Sequence, residues 1–309
     1  MPYLIVITGA TGSGKTDIAV QLASRLRCHI ISADSRQIYR GLPIGTAAPT
    51  PEQLSAVPHH FVGCLDLDQY YSAACFEADS LALLEKLFRT NNYAVMCGGS
   101  MMYIDAVTRG LDELPTVSDS IRSKVYDLYE AGGIDAIRDK LQHLDPVYAG
   151  KVDPNNYKRI IHAIEVSLQA GVPYSSLCTG KTKKRPFEII KVALNLERAE
   201  LFDRINRRVD KMIADGLERE AGGLFSRRHL NSLNTVGYKE LFAMMEGKMD
   251  RETAIARIAK NTRVYAKKQL TWLKRDPELV WLRPEQVVEY VMQRVGAGSC
   301  TVDHDVAAS

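Results

Sequence analysis

Gly9-Ala10-Thr11-Gly12-Ser13-Gly14-Lys15-Thr16 carries the spacing G-x4-G-K-[ST], and a chemistry follows from it. The glycines let successive backbone N–H groups turn toward one anion, and a helix opening at residue 15 adds the positive end of its dipole. Lys15 offers a point charge for a terminal phosphate, and the Thr16 hydroxyl is a hard oxygen ligand suited to Mg²⁺. Residues 9 to 16 are therefore expected to cradle a diphosphate or triphosphate, with Thr16 at the metal. The motif says nothing of the next step, because kinases, GTPases and other transferases share it.

Two more groups sit where short strands should end. Asp34-Ser35-Arg36-Gln37-Ile38-Tyr39 follows one, and Gly98-Gly99-Ser100 follows another. In an open α/β sheet, ligand crevices lie at the carboxyl ends of strands. There Asp34 could hold a metal or take a proton. Arg36 and Gln37 could meet a base edge or a phosphate, and Ser100 could aim a hydroxyl into the same space.

Basic residues form a further pattern. Arg251 to Arg275 holds eight basic residues and a single acid, Glu252. At about 100° per residue, Arg257, Lys260, Arg263, Lys267, Lys268, Lys274 and Arg275 share an arc of roughly 140°. Ile255, Ile258, Ala259, Tyr265, Leu270, Trp272 and Leu273 occupy most of the opposite side, the expected core face. A stripe of one sign suits a polyanion. Arg204, Arg207, Arg208 and Lys211 share a second helix face, which needs an anion if the four are not to repel. Lys158, Arg159 and His162 make a third cluster, where His162 is expected as a helix-surface residue and not a base. Trp272 and Trp281 lie in apolar runs and belong to the core.

The elements that must position these groups alternate. Leu4–Ile7, His29–Asp34, Ala94–Cys97 and Ile189–Leu194 are short apolar runs suited to buried strands. Helical spacing marks Asp17–Leu26 and Leu81–Phe88. Strand–helix–strand alternation implies right-handed crossovers and a parallel sheet. Between 117 and 182 the texture turns helical, with helices expected at 118–129, 134–141 and 156–169, the last opening at Asp153-Pro154. The fold class expected is α/β: a P-loop core with a parallel sheet flanked by helices, plus an all-helical insertion domain. Its divisions are a first core part at 1–116, the insertion at 117–182, a return strand and C-terminal helices at 183–295, and a flexible tail at 296–309.

Composition sets outer limits. The 309 residues are 46% hydrophobic and 25% charged, which excludes a disordered, collagenous or coiled-coil chain. Net charge is only 40 − 37 = +3, so charge distribution decides more than its total. The six cysteines lack CxxC spacing and are expected as small buried hydrophobes in a reducing compartment. No apolar run approaches a membrane span of about 20 residues, and a cytoplasmic protein is expected. On these residues alone, a P-loop nucleoside or nucleotide kinase explains the loop and the crevice acid but not the cationic helix. A non-catalytic RNA-binding protein switched by nucleotide explains the helix but leaves Asp34 and Ser100 idle.

The combination of the Gly9–Thr16 loop, Asp34-Ser-Arg-Gln-Ile-Tyr39, Gly98-Gly-Ser100, Asp153-Pro-Asn-Asn156, Thr235-Val-Gly-Tyr-Lys239 and Thr262-Arg-Val-Tyr-Ala-Lys-Lys-Gln-Leu-Thr-Trp272 resembles the bacterial tRNA dimethylallyltransferase family. The resemblance runs from about residue 4 to 283. It implies dimethylallyl diphosphate as donor, held by the loop in place of ATP. It implies N6 of adenosine 37 as acceptor, in tRNAs that read codons beginning with U. Asp34 would take the N6 proton. Ser100, Lys15 and Arg208 would attend the diphosphate. Ser35, Arg36, Gln37, Arg122, Lys158, Arg159, His162, Asn234 and Lys239 would meet the tRNA anticodon stem-loop, joined by Lys260, Arg263 and Lys267 from the stripe. The chain departs from the family at Ala10 (often Pro), Gly12 (often Ala), Ala48 (often Lys), Ser100 (Thr) and His162 (often Arg). Mg²⁺ is the one cofactor expected, and the protein is expected to act as a monomer away from membranes.

Overall fold

The structure, a computed structural model, describes residues 1–296. The expected flexible tail, and Cys300 within it, lies outside the described residues beyond Gly296. The chain forms two compact units, one from residues 1–108 with 185 onward, the other from residues 109–184.

The larger unit begins with β1 (Tyr3–Gly9), α1 (Lys15–Leu26), β2 (Ile30–Ala33), α2 (Pro51–Ala56), β3 (His59–His60), α3 (Ala73–Leu87), β4 (Tyr93–Gly98) and α4 (Met101–Arg109). The smaller unit holds α5 (Asp119–Leu144), α6 (Pro146–Ala149), α7 (Tyr157–Ala170) and α8 (Tyr174–Leu177). The larger resumes with β5 (Glu188–Leu194), α9 (Arg198–Ala214), α10 (Leu217–Leu224), α11 (Tyr238–Met245), α12 (Arg251–Leu273), β6 (Val280–Leu282) and α13 (Pro284–Arg294).

One parallel sheet runs β3-β2-β4-β1-β5-β6. Leu4 to Ile7 are fully buried because β1 lies mid-sheet with helices on both faces. Ile5 and Ile7 pack with Ile18, Leu22 and Val287 on one side, and Leu4 and Val6 with Phe76, Leu84 and Ile104 on the other. Each such side chain contributes roughly 1.5–3 kcal/mol by burial. The order puts the carboxyl ends of β2, β4 and β1 side by side. Gly98 permits that closeness, since a Cβ there would lie 2.1 Å from the Ala33 carbonyl oxygen.

Several boundaries differ from the sequence expectation. α3 starts at Ala73 and not near 81, because Ser72 caps it by accepting the Cys75 N–H at 3.2 Å. The cap of α7 is Asn156, whose Oδ1 accepts the Arg159 N–H, and not Asp153-Pro154. The two expected helices at 118–129 and 134–141 are joined in α5 with a break at Gly133, φ 66°. The smaller unit has its own core of Val125, Ile137, Leu141, Ile160, Ala163 and Ile164. Cys28 and Cys97 are buried, but Cys64 and Cys178 are exposed, against the expectation of uniformly buried thiols. No helix among the described residues is long and apolar enough to cross a membrane.

Candidate active site

β1 ends at Gly9 (φ 145°), and the chain then turns through Gly12 (φ 82°) and Gly14 (φ 87°) into α1. Positive φ at these positions is a glycine conformation, and it turns the loop amides inward. Ala10, Leu201, Ile205 and Ala266 form a small core that fastens the loop to α9 and α12. The Lys15 ammonium donates to the Ala10 carbonyl at 2.8 Å.

The loop opens on a crevice of about 730 Å³ that is shared with the carboxyl ends of β2 and β4. Of the expected diphosphate residues, Thr11, Gly12, Gly14, Lys15, Thr16 and Arg208 line it. Gly9, Ala10 and Ser13 do not, and serve as the loop's buried frame. Asp34, Ser35, Arg36, Gln37, Ser100, Asn234 and Lys239 line the same crevice. The three constellations, separate in sequence, therefore share one space.

Asp34 lines the crevice just past the carboxyl end of β2. One oxygen, Oδ1, accepts the N–H groups of Arg36 (2.8 Å) and Gln37 (3.2 Å). Oδ2 has no hydrogen-bond partner among the described residues. The Ser100 hydroxyl accepts the Ser35 N–H at 2.8 Å and donates to the Ser35 hydroxyl at 3.2 Å, so it braces the turn next to the acid. Arg36 donates to the carbonyls of Asn231 (2.7 Å) and Ser232 (3.2 Å). Gln37 donates to those of Thr46 (3.2 Å) and Ala47 (3.0 Å). Both side chains thus hold neighbouring loops in place, which the sequence did not suggest.

Two cations meet the acid. Burial pulls the Lys15 ammonium down to about 8, and Arg208 pulls the same way, against Cys97 and Asp34. Burial also pushes the Cys97 thiol up to about 12, so that group is neutral near pH 7. Asp34 is then the carboxylate that favours the Lys15 charge. Burial likewise lowers Arg208, again opposed by Asp34. Arg208 has no acidic partner at hydrogen-bond distance among the described residues. A half-buried pair of cations beside Asp34 has positive charge to spare for an anion.

The expected anion-binding quartet on α9 is corrected here. Arg204 pairs with Glu200 at 2.8 Å, Arg207 with Asp203, and Lys211 with Asp215 at 3.0 Å. Acids four residues away pair with three of the four cations; Arg208, with no acid partner among the described residues, lines the crevice beside Lys211.

The stripe on α12 lies away from the crevice. Ile258, Thr262, Tyr265 and Gln269 line the crevice. At about 100° per residue, Lys260, Arg263 and Lys267 occupy an arc centred about 160° away. Arg263 instead bonds Asn206 on α9, and Lys267 lies 5.6 Å from the Phe202 ring centroid. Tyr265, expected in the core, is 39% exposed and faces the crevice. Burial, with Asp34 adding to it, pushes its phenol up to about 12. The signal for this missed face was present: polar Thr262 and Gln269 at helical spacing with Ile258 and Tyr265.

Arg122, Lys158, Arg159 and His162 belong to the smaller unit. Lys158 lies 6.0 Å from the Tyr157 ring centroid. His162 is exposed, as expected of a helix-surface residue, and its ring lies edge-on to Tyr174. Partial desolvation lowers its pKa, with Glu165 opposing the shift and Arg122 adding to it.

The implied Mg²⁺ can be tested on the donor set. No group of three or more His, Cys, Asp or Glu side chains that could hold a metal gathers among the described residues. Thr16 and the nearby carboxylates Asp17 and Asp34 present oxygen donors at the crevice wall. Such a sparse oxygen set fits Mg²⁺, which keeps several waters and takes phosphate oxygens.

Comparison with known proteins settles the family. The IPP transferase family model matches residues 37–276. The chain belongs to the IPP transferase family. It is 53% identical to tRNA dimethylallyltransferase 2 of Parabacteroides distasonis over 286 residues, 93% of this chain and 96% of that one. It is 51% identical to tRNA dimethylallyltransferase 1 of Phocaeicola vulgatus, over 94% of this chain and 97% of that one. Among solved structures, a tRNA isopentenylpyrophosphate transferase of Bacillus halodurans superposes with a TM-score of 0.70 at 32% identity, covering 96% and 97% of the two chains. A eukaryotic dimethylallyltransferase acting on tRNA gives 0.79 at 25% identity, covering 96% of this chain and 78% of that one. The chain is a prenyltransferase, and the kinase and nucleotide-switch readings give way to it.

Proposed function

We propose that this crevice transfers a dimethylallyl group from dimethylallyl diphosphate to N6 of adenosine 37 in tRNAs reading codons that begin with U. The observation that carries the reading is one carboxylate, Asp34, sharing the crevice with two half-buried cations, Lys15 and Arg208, beside a glycine-lined loop.

Adenine N6 is a weak nucleophile because its lone pair is delocalised into the ring. As N6 attacks C1 of the donor, the C1–O bond breaks and the diphosphate leaves with the electron pair. The N6 proton passes to Asp34, whose Oδ2 is the oxygen left without a partner. The loop N–H groups, Lys15 and Arg208 stabilise charge where it grows, on the departing diphosphate. Mg²⁺, held by Thr16 and diphosphate oxygens, would supply further charge neutralisation when bound. Ser100 keeps the Asp34 turn fixed through Ser35 while its own position keeps it near the leaving group.

An adenosine stacked in an anticodon loop cannot reach a carbon inside the crevice, so the nucleotide is everted. Asn234 and Lys239 at the rim, with Arg122, Lys158, Arg159 and His162 of the helical unit, are the proposed tRNA contacts. The stripe residues Lys260, Arg263 and Lys267 are left as distal contacts, since they turn from the crevice. The protein acts in the cytoplasm as a soluble monomer. Incubating the chain with dimethylallyl diphosphate, Mg²⁺ and bulk tRNA, followed by nucleoside mass analysis, is expected to give N6-isopentenyladenosine. Release of phosphate from ATP with unmodified tRNA would overturn the assignment.

A further inference from the structure

Gln269 stands apart from the groups assigned so far. It is 2% exposed, about one turn before the end of α12, yet it is polar. Its Oε1 accepts the Thr11 N–H at 2.8 Å, and its Nε2 donates to the Gly99 carbonyl at 2.8 Å. Both ends of one amide are thus spent on backbone. One end holds the phosphate loop after β1, and the other holds the turn after β4.

The Gly99 turn is built around this contact. A Cβ on Gly99 would stand 2.4 Å from Nε2 of Gln269, so no larger residue leaves the bond intact. The next residue, Ser100, accepts the Ser35 N–H beside Asp34. A continuous series of bonds therefore runs from Thr11 through Gln269 and Gly99–Ser100 to Ser35 and Asp34. It joins the diphosphate cradle to the acid.

We propose that Gln269 is a positioning residue that sets the spacing between the phosphate loop and the Asp34 turn; the inference rests on the transfer reaction proposed above. A carboxamide is needed because one partner is a donor and the other an acceptor. A carboxylate can take the Thr11 N–H but meets the Gly99 carbonyl with repulsion. A thioether of the same length can do neither. Reacting atoms misplaced by about 1 Å can cost about 100-fold in rate, so this spacing is a catalytic variable.

The test compares Gln269→Met, Gln269→Glu and Ser100→Ala with the parent chain. Single-turnover transfer from dimethylallyl diphosphate to tRNA is measured, with pyrophosphate affinity measured separately by calorimetry. Gln269→Met is expected to slow single turnover about 100-fold while tRNA affinity stays within about twofold. Its effect on rate should be strongly less than additive with Ser100→Ala, because both cut the same series of bonds. Gln269→Glu, which keeps the Thr11 bond, should retain more of the parent's pyrophosphate affinity per loss of rate than expected from charge alone, seen as a smaller change at high salt. Gln269→Met should weaken pyrophosphate binding about fivefold or more through lost preorganisation. A single-turnover rate within about threefold of the parent, or a loss fully additive with Ser100→Ala, overturns the proposal. If the parent itself leaves tRNA unmodified, the transfer reading fails. The pyrophosphate arm then decides the loop half of the proposal, which unchanged affinity in Gln269→Met would overturn.

Discussion

Replacing Asp34 by Asn isolates the proton-accepting role from the structural one. Oδ1 of Asp34 accepts two backbone N–H groups, from Arg36 and Gln37, and an asparagine carbonyl can take over both. The turn should therefore survive. Each bond falls from the charged class, about 1.5–3 kcal/mol net, to the neutral class, about 0.5–1.5, so the two together cost about 2–3 kcal/mol of stability. The other oxygen becomes an NH₂ group, which cannot accept the N6 proton. General-base assistance accounts for about 10²–10⁴ in rate, or about 2.7–5.4 kcal/mol at 1.36 per decade. Donor binding moves differently. Asp34 favours the charged forms of Lys15 and Arg208, but it also repels an incoming diphosphate. Because these effects oppose, the donor Kd is expected to stay within a few-fold or tighten. The assay is single-turnover transfer of labelled dimethylallyl to tRNA, with donor binding measured in parallel. A rate within about threefold of the parent would show that no base acts at Asp34. A large loss of donor affinity with little change in the chemical step would mean that the carboxylate serves the metal instead.

Other perturbations test other parts of the site. Lys15 binds the diphosphate as a cation, and its pKa near 8 means that donor affinity of the free protein should fall as pH rises above about 8. The stability of the ligand-free fold should move the opposite way. Its folded pKa lies below the ordinary 10.5, so the unfolded chain binds more protons between about 8 and 10.5 and thermal stability gains with pH across that window. Lys15→Met should flatten both profiles. Gly98→Ala would place a Cβ 2.1 Å from the Ala33 carbonyl oxygen, between strands that cannot part. Overpacking of this kind costs about 1–3 kcal/mol or more, and a parental melting temperature would contradict the strand spacing. Lys239 lines the crevice, whereas Lys260 and Lys267 face away. Lys239→Ala should reduce the salt slope of tRNA KM by about 1, with a smaller change for Lys260→Ala with Lys267→Ala; the reverse order would relocate the tRNA path.

The phosphate loop and the core strands were legible because their signals are local. A continuous apolar run such as Leu4–Ile7 admits few environments other than a buried parallel strand. The glycine spacing likewise dictates where positive φ must fall. Less was legible where short elements borrow their stability. His59–His60 pairs over two residues with Ile30 and Ile31, and Val280–Leu282 pairs with Val192–Leu194. Neither has the length to announce itself without its neighbour. Charge was read too simply, because a wheel marks a cationic face without showing which acids a turn away neutralise it. In the fold Glu200, Asp203 and Asp215 claim the other three members of its quartet and set Arg208 apart.

What the sequence determined by itself is the chemistry available: a phosphate cradle, an acid after one strand, a hydroxyl after another, and a resemblance across nearly the whole chain. What the tertiary structure decided is which of these groups meet, and which face of α12 meets them. The bonds that join Gln269 to Thr11 and Gly99 span 258 and 170 residues. Periodicity along a helix tells which residues share a side, but the side that becomes a wall of the crevice is chosen by partners far away in the chain. Only packing brings those partners together.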